Sequence, residues 1–451
     1  MKLSLVLPST IALALAAVFT GGNTSEGYAL IGHNLDLNQR DFRVFNGFTN
    51  TASNNNQTPD ANFPGAQGAV MAIWKGAIEW GSRLHGDGNG DPTQAGNLGS
   101  GGANFDASFQ GEANVIGNVG DNICSPITGS SGSVLAYAET TGSGNWRMRF
   151  YTSWNWSDGP GNVAFNEEDM QSVATHEYGH CLGLGHSATT SATMYASYPG
   201  GTAQRSIATD DANGVKAIYG VAAANKPIIS GIVSPAIGQL VIAGSNFGAS
   251  NEVWFTREDF TGNGIPVKLT GVASTGGGTQ ITVNVPAAVR PGDILVRNSA
   301  LTGHSALSNA WPFDTDSVQC PGSVQICAGF PNSTGAAGQV FIFGSQSVAA
   351  NDTVLTAQSL PVGQFAMFLY GQGTTIVPVG NGFLCLMGSQ FYRLPIVQVD
   401  MFGQASYDLD LNNLPPGGAI SVGETWNFQL WHRENGGQSN LSNAVSYTWC
   451  Q

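Results

Sequence analysis

The feature that most constrains this chain is the segment Thr175 to His186, which reads THEYGHCLGLGH. Residues four apart on a helix lie on one face, so His176 and His180 can present two imidazole nitrogens to one cation. Gly183 can adopt the left-handed conformation that ends a helix, which lets the chain turn back and deliver His186 as a third ligand. Three neutral imidazoles leave one tetrahedral position of a zinc ion open, as in catalytic rather than structural sites. The segment therefore predicts a helix, a tight turn and one catalytic zinc ion.

Glu177, directly after the first histidine, is the candidate general base. Its carboxylate projects beside the metal ligands rather than among them, so it can take a proton from the attacking water. A helix that merely carries surface histidines is the plain alternative, and five specified positions in one order disfavour it. A copy that binds metal without turnover is the second alternative, because no motif proves catalysis.

Three blocks of the sequence resemble the metzincin metalloproteases, and most closely their matrixin branch. HEYGHCLGLGHS, which ends at Ser187, is similar to the metzincin zinc helix. SATMYASY, which contains Met194, resembles the Met-turn, and IATDDANGVKAIYG, from Ile207 to Gly220, resembles the matrixin closing helix. The resemblance implies a zinc-dependent endopeptidase that hydrolyses peptide bonds through a zinc-activated water. The implied site residues are Glu177 as general base and His176, His180 and His186 as metal ligands.

The resemblance also implies roles for residues outside the zinc helix. Met194 would pack beneath the three histidines without binding metal, and Tyr198 matches the tyrosine that lines the S1′ substrate pocket. SVLAYAET, residues 133–140, occupies the place of the edge strand that aligns the substrate backbone. Asp210 and Asp211 match the place where matrixins use an aspartate to anchor the chain start or the Met-turn. Simple capping of the last helix, together with Thr209, is the alternative.

The sequence departs from the matrixin pattern at two points. Ala196 stands where matrixins commonly have proline. No cysteine precedes Cys124, so latency through a pro-segment cysteine is not indicated.

Composition indicates an exported protein of several domains. A chain of 451 residues is long for one domain, and its 61 glycines with only 10% charged residues favour many short strands and turns. The net charge of −14 argues against nucleic acid as a partner. Residues 1–22, with Lys2 before an apolar run, predict a secretory signal peptide, and no other stretch is apolar enough to cross a bilayer. We therefore expect a secreted, extracellular protein without a transmembrane segment.

The predicted fold is multidomain, with an α+β metzincin catalytic domain at residues 23–222 followed by two all-β sandwich domains. Residues 227–314 resemble an IPT/TIG immunoglobulin-like domain, and residues 317–451 form the predicted C-terminal β-sandwich. A chain cut near Ala224 is expected to leave an active catalytic fragment.

A binding protein is the alternative function. In that hypothesis the metzincin domain is vestigial, and the β-domains of an adhesin hold glycans or surface proteins, with Trp426, Trp431 and Trp449 as candidate stacking residues. Core packing of these tryptophans is the favoured interpretation. A zinc hydrolase of non-peptide bonds is a further alternative, which the Met-turn and the edge strand disfavour.

Two local patterns leave structural alternatives open. Asp87, Asn89 and Asp91 alternate as in a calcium loop, but Pro92 replaces the expected glycine and no late glutamate follows. A solvated turn is therefore favoured, with a Ca²⁺ site as the alternative.

Six cysteines, an even number, fit disulfides in an exported protein. Cys124 and Cys181 are the two in the first half, and we predict a disulfide between them, with two free thiols as the alternative. The other four cysteines allow three connectivities.

For secondary structure, the sequence predicts a first strand at residues 42–49 and an amphipathic helix at residues 69–84. Further strands are predicted at residues 113–119, 133–140 and 146–156. Asn166 is the predicted N-cap of the zinc helix.

Overall fold

The computed structural model describes residues 2–6, 27–48, 54–129, 132–141, 144–236, 238–257, 259–315, 322–387 and 391–449. The chain separates into two compact units, Met1–Val233 with Gly238–Thr315, and Ser234–Ile237 with Asp316–Gln451. The predicted signal peptide lies outside the described residues, apart from residues 2–6. Within the described part of the chain, no helix is long and apolar enough to span a membrane.

The framework of the first unit is a mixed sheet that carries helices. The helices are α1 (Gly68–Ile78), α2 (Met170–Leu182) and α3 (Thr209–Tyr219). The strands before α3 are β1 (Lys2–Val6), β2 (Ala29–Leu30), β3 (Asp41–Phe45), β4 (Ser108–Ala113), β5 (Ile123–Ile127), β6 (Val134–Thr140), β7 (Trp146–Tyr151), β8 (Trp156–Ser157), β9 (Glu168–Asp169) and β10 (Leu184–Gly185). The main sheet has the order β1-β6-β7-β5-β3-β4, in which β6 is antiparallel to β7 and the pairs from β7 to β4 are parallel.

Helix α1 is shorter than predicted and has no solvent-facing side. It ends at Ile78, and all of its residues are buried, including Trp74 and Lys75. Because every residue of α1 is buried and Lys75 pairs with Asp60 and Asp91 inside the protein, the prediction of a solvent-facing polar side is wrong. One side packs on α2, where a Cβ on Gly76 would stand 2.8 Å from the backbone nitrogen of Thr175. Glycine at this position permits the close approach of the two helices.

The N-cap of helix α2 lies three residues after the predicted N-cap. Its N-cap is Asp169, whose Oδ2 accepts hydrogen bonds from the backbone nitrogen (2.9 Å) and hydroxyl (2.6 Å) of Ser172. Asn166 lies in the preceding turn, so the predicted N-cap is wrong. The reason is tertiary, because residues 168–169 are held in extended conformation as β9 by parallel pairing with β8. Gly183 ends the helix with φ 109°, the left-handed conformation that the sequence predicted.

Helix α3 starts at Thr209, which is its first helical residue rather than its cap. The backbone nitrogen of Ala208 donates instead to Oδ2 of Asp211 at 2.8 Å. The acidic first turn, with Asp210 and Asp211, complements the helix dipole as predicted.

We call residues 226–315 the middle β region. Its strands form two sheets. Its strands are β11 (Ile228–Ala236), β12 (Gln239–Ser245), β13 (Asn251–Arg257), β14 (Val267–Val272), β15 (Ser274–Thr275), β16 (Gln280–Asn284), β17 (Val289–Asn298) and β18 (Trp311–Phe313). They form a four-stranded sheet β11-β12-β16-β15 and a second four-stranded sheet β14-β13-β17-β18.

One hydrophobic core joins the middle β region to the helices and the mixed sheet. Trp254, Leu295 and Leu307 belong to the same buried cluster as Trp74 and Phe109. A chain cut near Ala224 would open this core, so the packing does not support the expected independence of the catalytic fragment.

The second unit consists of antiparallel strands. They are β19 (Val324–Cys327), β20 (Gln339–Phe343), β21 (Val354–Gln358), β22 (Phe365–Gly371), β23 (Thr374–Val379), β24 (Gly382–Leu386), β25 (Phe391–Gln398), β26 (Ala405–Asp408), β27 (Thr425–Arg433) and β28 (Ser439–Thr448). A disulfide joins Cys327 to Cys385, whereas Cys320 and Cys450 lie outside the described residues. Trp426 and Trp449 are buried in the core, as the favoured interpretation expected.

Candidate metal centre

The three histidines of the zinc-binding pattern come together at the end of α2. One ligand-type atom from each of His176, His180 and His186 lies within 4.8 Å of the others. Their ring centroids are 4.7, 4.9 and 5.4 Å apart. Gly183 produces this geometry, because its left-handed turn redirects the chain into β10 and so returns His186 to the helix face. The spacing of the motif is thus realised as a compact nitrogen cluster.

Backbone carbonyls fix the orientation of the two helical imidazoles. Nδ1 of His176 donates to the carbonyl of Thr193 at 2.6 Å, and Nδ1 of His180 donates to the carbonyl of Leu184 at 2.8 Å. A carbonyl only accepts, so Nδ1 carries the proton in both rings and Nε2 keeps its lone pair. Both Nε2 atoms are buried without a hydrogen-bond partner. A metal ion would give these nitrogens the partner that a buried polar atom requires.

Burial also keeps the two imidazoles neutral. Desolvation, reinforced by the neighbouring His186, lowers the pKa of His176 to about 3. Desolvation, with both neighbouring histidines, lowers the pKa of His180 well below its ordinary value. Neutral imidazole is the form that binds zinc. The donor set, its protonation and its orphaned nitrogens therefore fit a zinc ion.

Met194 packs directly beneath the ligand-bearing helix. It is 1% exposed, and a Cβ placed on Gly179, between the two helical histidines, would collide with its sulfur. The backbone nitrogen of Ser187, next to the third ligand, donates to the carbonyl of Met194 at 2.8 Å. Met194 therefore packs on α2 and is bonded to Ser187, the residue after His186.

The two aspartates of α3 each hold a different segment. Asp211 accepts from the backbone nitrogens of Thr193 (2.7 Å) and Met194 (3.0 Å), so it anchors the turn that carries Met194. Asp210 accepts from the hydroxyl of Ser187 at 2.7 Å. A Cβ on Gly27 would lie 2.6 Å from Oδ1 of Asp210, which places that early segment against the same carboxylate. Asp211 therefore does more than cap the helix.

Trp80 is a supporting residue that sequence reasoning missed. Its Nε1 donates to the carbonyl of Thr175 at 3.0 Å, immediately before the first ligand histidine. Its ring also lies 2.8 Å from the position of a Cβ on Gly179. The glycine was the available signal, because glycine inside a helix costs about 1 kcal/mol and implies close packing.

Comparison with known proteins agrees with this geometry. The family model of the matrixins, peptidase family M10, matches residues 117–220. Residues 117–220, which include the three histidines, are therefore similar to a matrixin domain.

Curated relatives match the matrixin domain over short stretches. Rattus norvegicus matrilysin is 36% identical over 124 residues, which cover 26% of this chain and 44% of the rat protein. Arabidopsis thaliana metalloendoproteinase 1-MMP is 39% identical over 107 residues, 23% of this chain and 28% of the plant protein. Glycine max metalloendoproteinase 1 is 49% identical over 53 residues, 12% of this chain and 17% of that protein. The chain thus spans less than half the length of these relatives.

Strand β6 of the matrixin domain pairs with an extended segment. Residues 2–6 lie antiparallel to it as β1, with Leu3 opposite Ala138 and Ser4 opposite Tyr137. Strand β6 also packs against α2. The predicted substrate-aligning strand therefore lies beside the metal helix and has an edge that accepts a peptide strand.

Tyr198 lies beside the start of the metal helix, fully buried. Its hydroxyl accepts from the backbone nitrogen of Asp169 at 3.1 Å and donates to the carbonyl of Gly201 at 2.5 Å. These bonds hold the first turn of α2 to the segment after Met194. Lining of the substrate pocket by Tyr198 stays a prediction.

Residues 87–91, for which a Ca²⁺ site was the alternative to a solvated turn, do not direct all three polar side chains to one point. Asp91 is buried and pairs with Lys75 at 2.5 Å and with Arg205 at 3.2 Å, whereas Asp87 and Asn89 are exposed. Because two protein cations already neutralise Asp91, the alternative of a Ca²⁺ site is not supported.

Cys124 and Cys181 are both free thiols in the structure, so the predicted disulfide between them is not formed. Both side chains are 0% exposed and belong to the hydrophobic core. Burial raises the pKa of each thiol well above its usual value. The two sulfurs therefore serve as small apolar groups that pack α2 on the sheet.

Proposed function

We propose that the protein is a secreted zinc metalloendopeptidase of the matrixin type, acting on protein or peptide substrates. The observation that carries this proposal is the pair of buried, neutral imidazoles, His176 and His180, whose Nε2 atoms lack partners beside His186. Zinc bound there would polarise the scissile carbonyl and increase the acidity of the attacking water.

In this proposal Glu177 moves the proton. It follows His176 on α2 and is buried, so its carboxylate lies in a low-dielectric environment next to the ligand cluster. The carboxylate takes a proton from the attacking water and then delivers it to the nitrogen of the leaving amine. The backbone carbonyls that hold the imidazoles keep the ligand set rigid during this transfer.

The proposal assigns substrate alignment to β6. An extended peptide that takes the place of β1 beside β6 would bring a backbone carbonyl toward the histidine cluster, because β6 packs on α2. Main-chain pairing tolerates many side chains, which suits a peptidase with broad sequence acceptance.

Glu177→Gln tests this mechanism, because glutamine keeps the shape of the side chain and cannot accept the proton. We expect kcat on a peptide substrate to fall by roughly 10²–10⁴-fold, with the zinc content unchanged. His180→Ala is the matched control, and it should lose both zinc and activity. Metal analysis and peptide kinetics on the same preparations separate the two effects. A Glu177→Gln variant with a tenth or more of normal turnover would rule out Glu177 as the base.

A further inference from the structure

We propose that Asp293, in the middle β region, is a positioning residue for the metal-binding helix. It holds both ends of residues 74–85, the segment that supports α2 from below. Only the kinetic part of the test rests on the proposed peptidase function.

Asp293 is a fully buried carboxylate that bonds to both ends of residues 74–85. Its Oδ1 lies 2.7 Å from Nε2 of His85, and its Oδ2 accepts from Nε1 of Trp74 at 3.1 Å. Its backbone nitrogen donates to the hydroxyl of Thr256 at 2.8 Å, and that hydroxyl donates to the carbonyl of Phe109 at 2.7 Å. Each carboxylate oxygen of Asp293 therefore bonds to one end of residues 74–85. The backbone of Asp293 is held by Thr256 on the neighbouring strand.

The segment between those two residues carries the contacts to the metal helix. Trp80 lies midway and bonds the carbonyl of Thr175, next to the first ligand. Gly76 touches the backbone of the same residue, since a Cβ there would lie 2.8 Å from the Thr175 nitrogen. A shift of residues 74–85 therefore changes the position of the helix that carries His176.

A second buried contact links the same segment to the middle β region indirectly, through Asp106 and Lys226. Asp106 accepts from the backbone nitrogen of Ser82 at 2.9 Å, and it pairs with Lys226 at 2.9 Å. Both members of that pair are 3% exposed. The middle β region therefore holds both ends of the segment directly through Asp293, and it reaches Ser82 indirectly through Lys226 and Asp106.

A packing role alone would not require a carboxylate at position 293. Burying a carboxylate is costly unless its hydrogen bonds are satisfied, and an apolar side chain would fill the same space at lower cost. The directional bonds to Trp74 and His85 set the geometry of the supporting segment. Such bonds matter for catalysis, because a misplacement of about 1 Å can lower a rate by roughly 100-fold.

The experiment uses the full-length, zinc-loaded protein and compares Asp293→Ala and Asp293→Asn with Ile281→Ala. Ile281 is buried in the other sheet of the middle β region, so its replacement loosens that region without touching the segment. Hydrogen exchange of the amides in α2 reports the support of the helix, and peptide kinetics report its consequence for the reaction.

We expect Asp293→Ala to accelerate amide exchange at residues 175–179 by about tenfold or more, and to lower kcat by about 10- to 100-fold with KM within about twofold. Asp293→Asn should lie between this variant and the wild type, since its amide oxygen can still accept from Trp74. In a Trp74→Phe background, replacing Asp293 with alanine should change kcat and amide exchange less than in the wild type. The hydrogen bond between residues 74 and 293 is already absent in that background.

Equal exchange and equal kcat in Asp293→Ala and Ile281→Ala would overturn the proposal. If Asp293→Ala does not fold, the test uses Asp293→Asn and Trp74→Phe instead. Amide exchange in α2 at the wild-type rate in both variants would also overturn the proposal. A wild-type protein without peptidase activity would refute the proposed function, while the exchange result would still decide the role of Asp293.

Discussion

Residues 176–186 and residues 87–91 both carry side chains at spacings suited to a cation. They differ in whether their buried polar atoms have partners within the protein. In the histidine cluster, His176 and His180 are neutral and their Nε2 atoms have no hydrogen-bond partner. In the acidic loop, Asp91 is paired with Lys75 and Arg205. The first region needs an added ion to satisfy its buried atoms, and the second is satisfied by the protein's own cations.

The charge pairs of the loop extend to the start of the metal helix. Arg205 forms two bonds to Asp169, the N-cap of α2, with distances of 2.6 and 3.0 Å. Lys75 also pairs with Asp60 at 2.8 Å. The salt bridges of Asp91 therefore join α1, which carries Lys75, to the segment that carries Arg205. Arg205 in turn joins that segment to the start of α2. In residues 87–91 the ligand-like spacing does not indicate a metal site, because Lys75 and Arg205 already pair with the buried carboxylate of Asp91.

The largest effect should follow from removing the guanidinium that links these carboxylates. Arg205→Ala leaves Asp91 and Asp169 buried with less compensation, so we expect the first unit to lose roughly 3–5 kcal/mol of stability. Arg205→Lys should lose less stability than Arg205→Ala, because lysine keeps the positive charge. Some loss remains because lysine cannot form the two bonds to Asp169. Thermal unfolding of the full-length variants measures both changes.

Added Ca²⁺ sharpens the comparison. It should raise the melting temperature of Arg205→Ala more than that of the wild type, because only the variant exposes uncompensated carboxylates. A wild-type protein that gains as much from Ca²⁺ as the variant would show that this loop binds the ion in spite of its salt bridges.

A third buried group, Glu79, gives an intermediate effect that depends on pH. Ser100, Ile207 and Gln94 donate hydrogen bonds to its carboxylate, and burial raises its pKa to about 7 from 4.5. An acid with a raised pKa binds its proton more tightly in the folded state. Its contribution to stability is therefore full at low pH and is lost as the pH rises from about 4.5 through about 7.

Glu79→Gln should remove that dependence, since the amide mimics the protonated acid. We expect the variant to gain about 2 kcal/mol relative to the wild type between pH 5 and pH 8. Melting curves of both proteins at the two pH values give the difference. Parallel pH profiles for the two proteins would mean that Glu79 is already ionised in the folded state at pH 5.

The smallest effect is expected from the exposed end of the acidic loop. Asp87→Asn removes a charge that does not take part in the buried network, so we expect stability to change by less than about 0.5 kcal/mol. Asp91→Asn is the matched comparison, and it should destabilise strongly because Lys75 and Arg205 lose a buried partner. Equal melting temperatures for the two variants would contradict the expectation that the buried carboxylate of Asp91 stabilises the fold and the exposed carboxylate of Asp87 does not.

Much of the metal centre could be predicted because its determinants are close together in sequence. The spacing of His176 and His180 places both on one helix face whatever surrounds them, and Gly183 supplies the turn toward His186 through its own backbone freedom. The acidic first turn of α3 was predictable for the same reason. Local geometry is nearly independent of the rest of the fold, so sequence reasoning reaches it.

Other features depended on contacts that the sequence does not display. Asn166 and Asp169 are both competent N-caps, and the pairing of β8 with β9 chose between them. The partners of Asp91 come from Lys75 and Arg205, 16 and 114 residues away, and only the folded chain brings them to one carboxylate. The full burial of α1 likewise required the middle β region.

Sequence alone was enough to predict that His176, His180 and His186 come together, because helix periodicity and a glycine turn act over a few residues. Only the tertiary structure decided what supports that centre. Trp80 and Asp293 reach their partners across long stretches of chain, and such contacts follow from the packing of whole elements rather than from any local pattern.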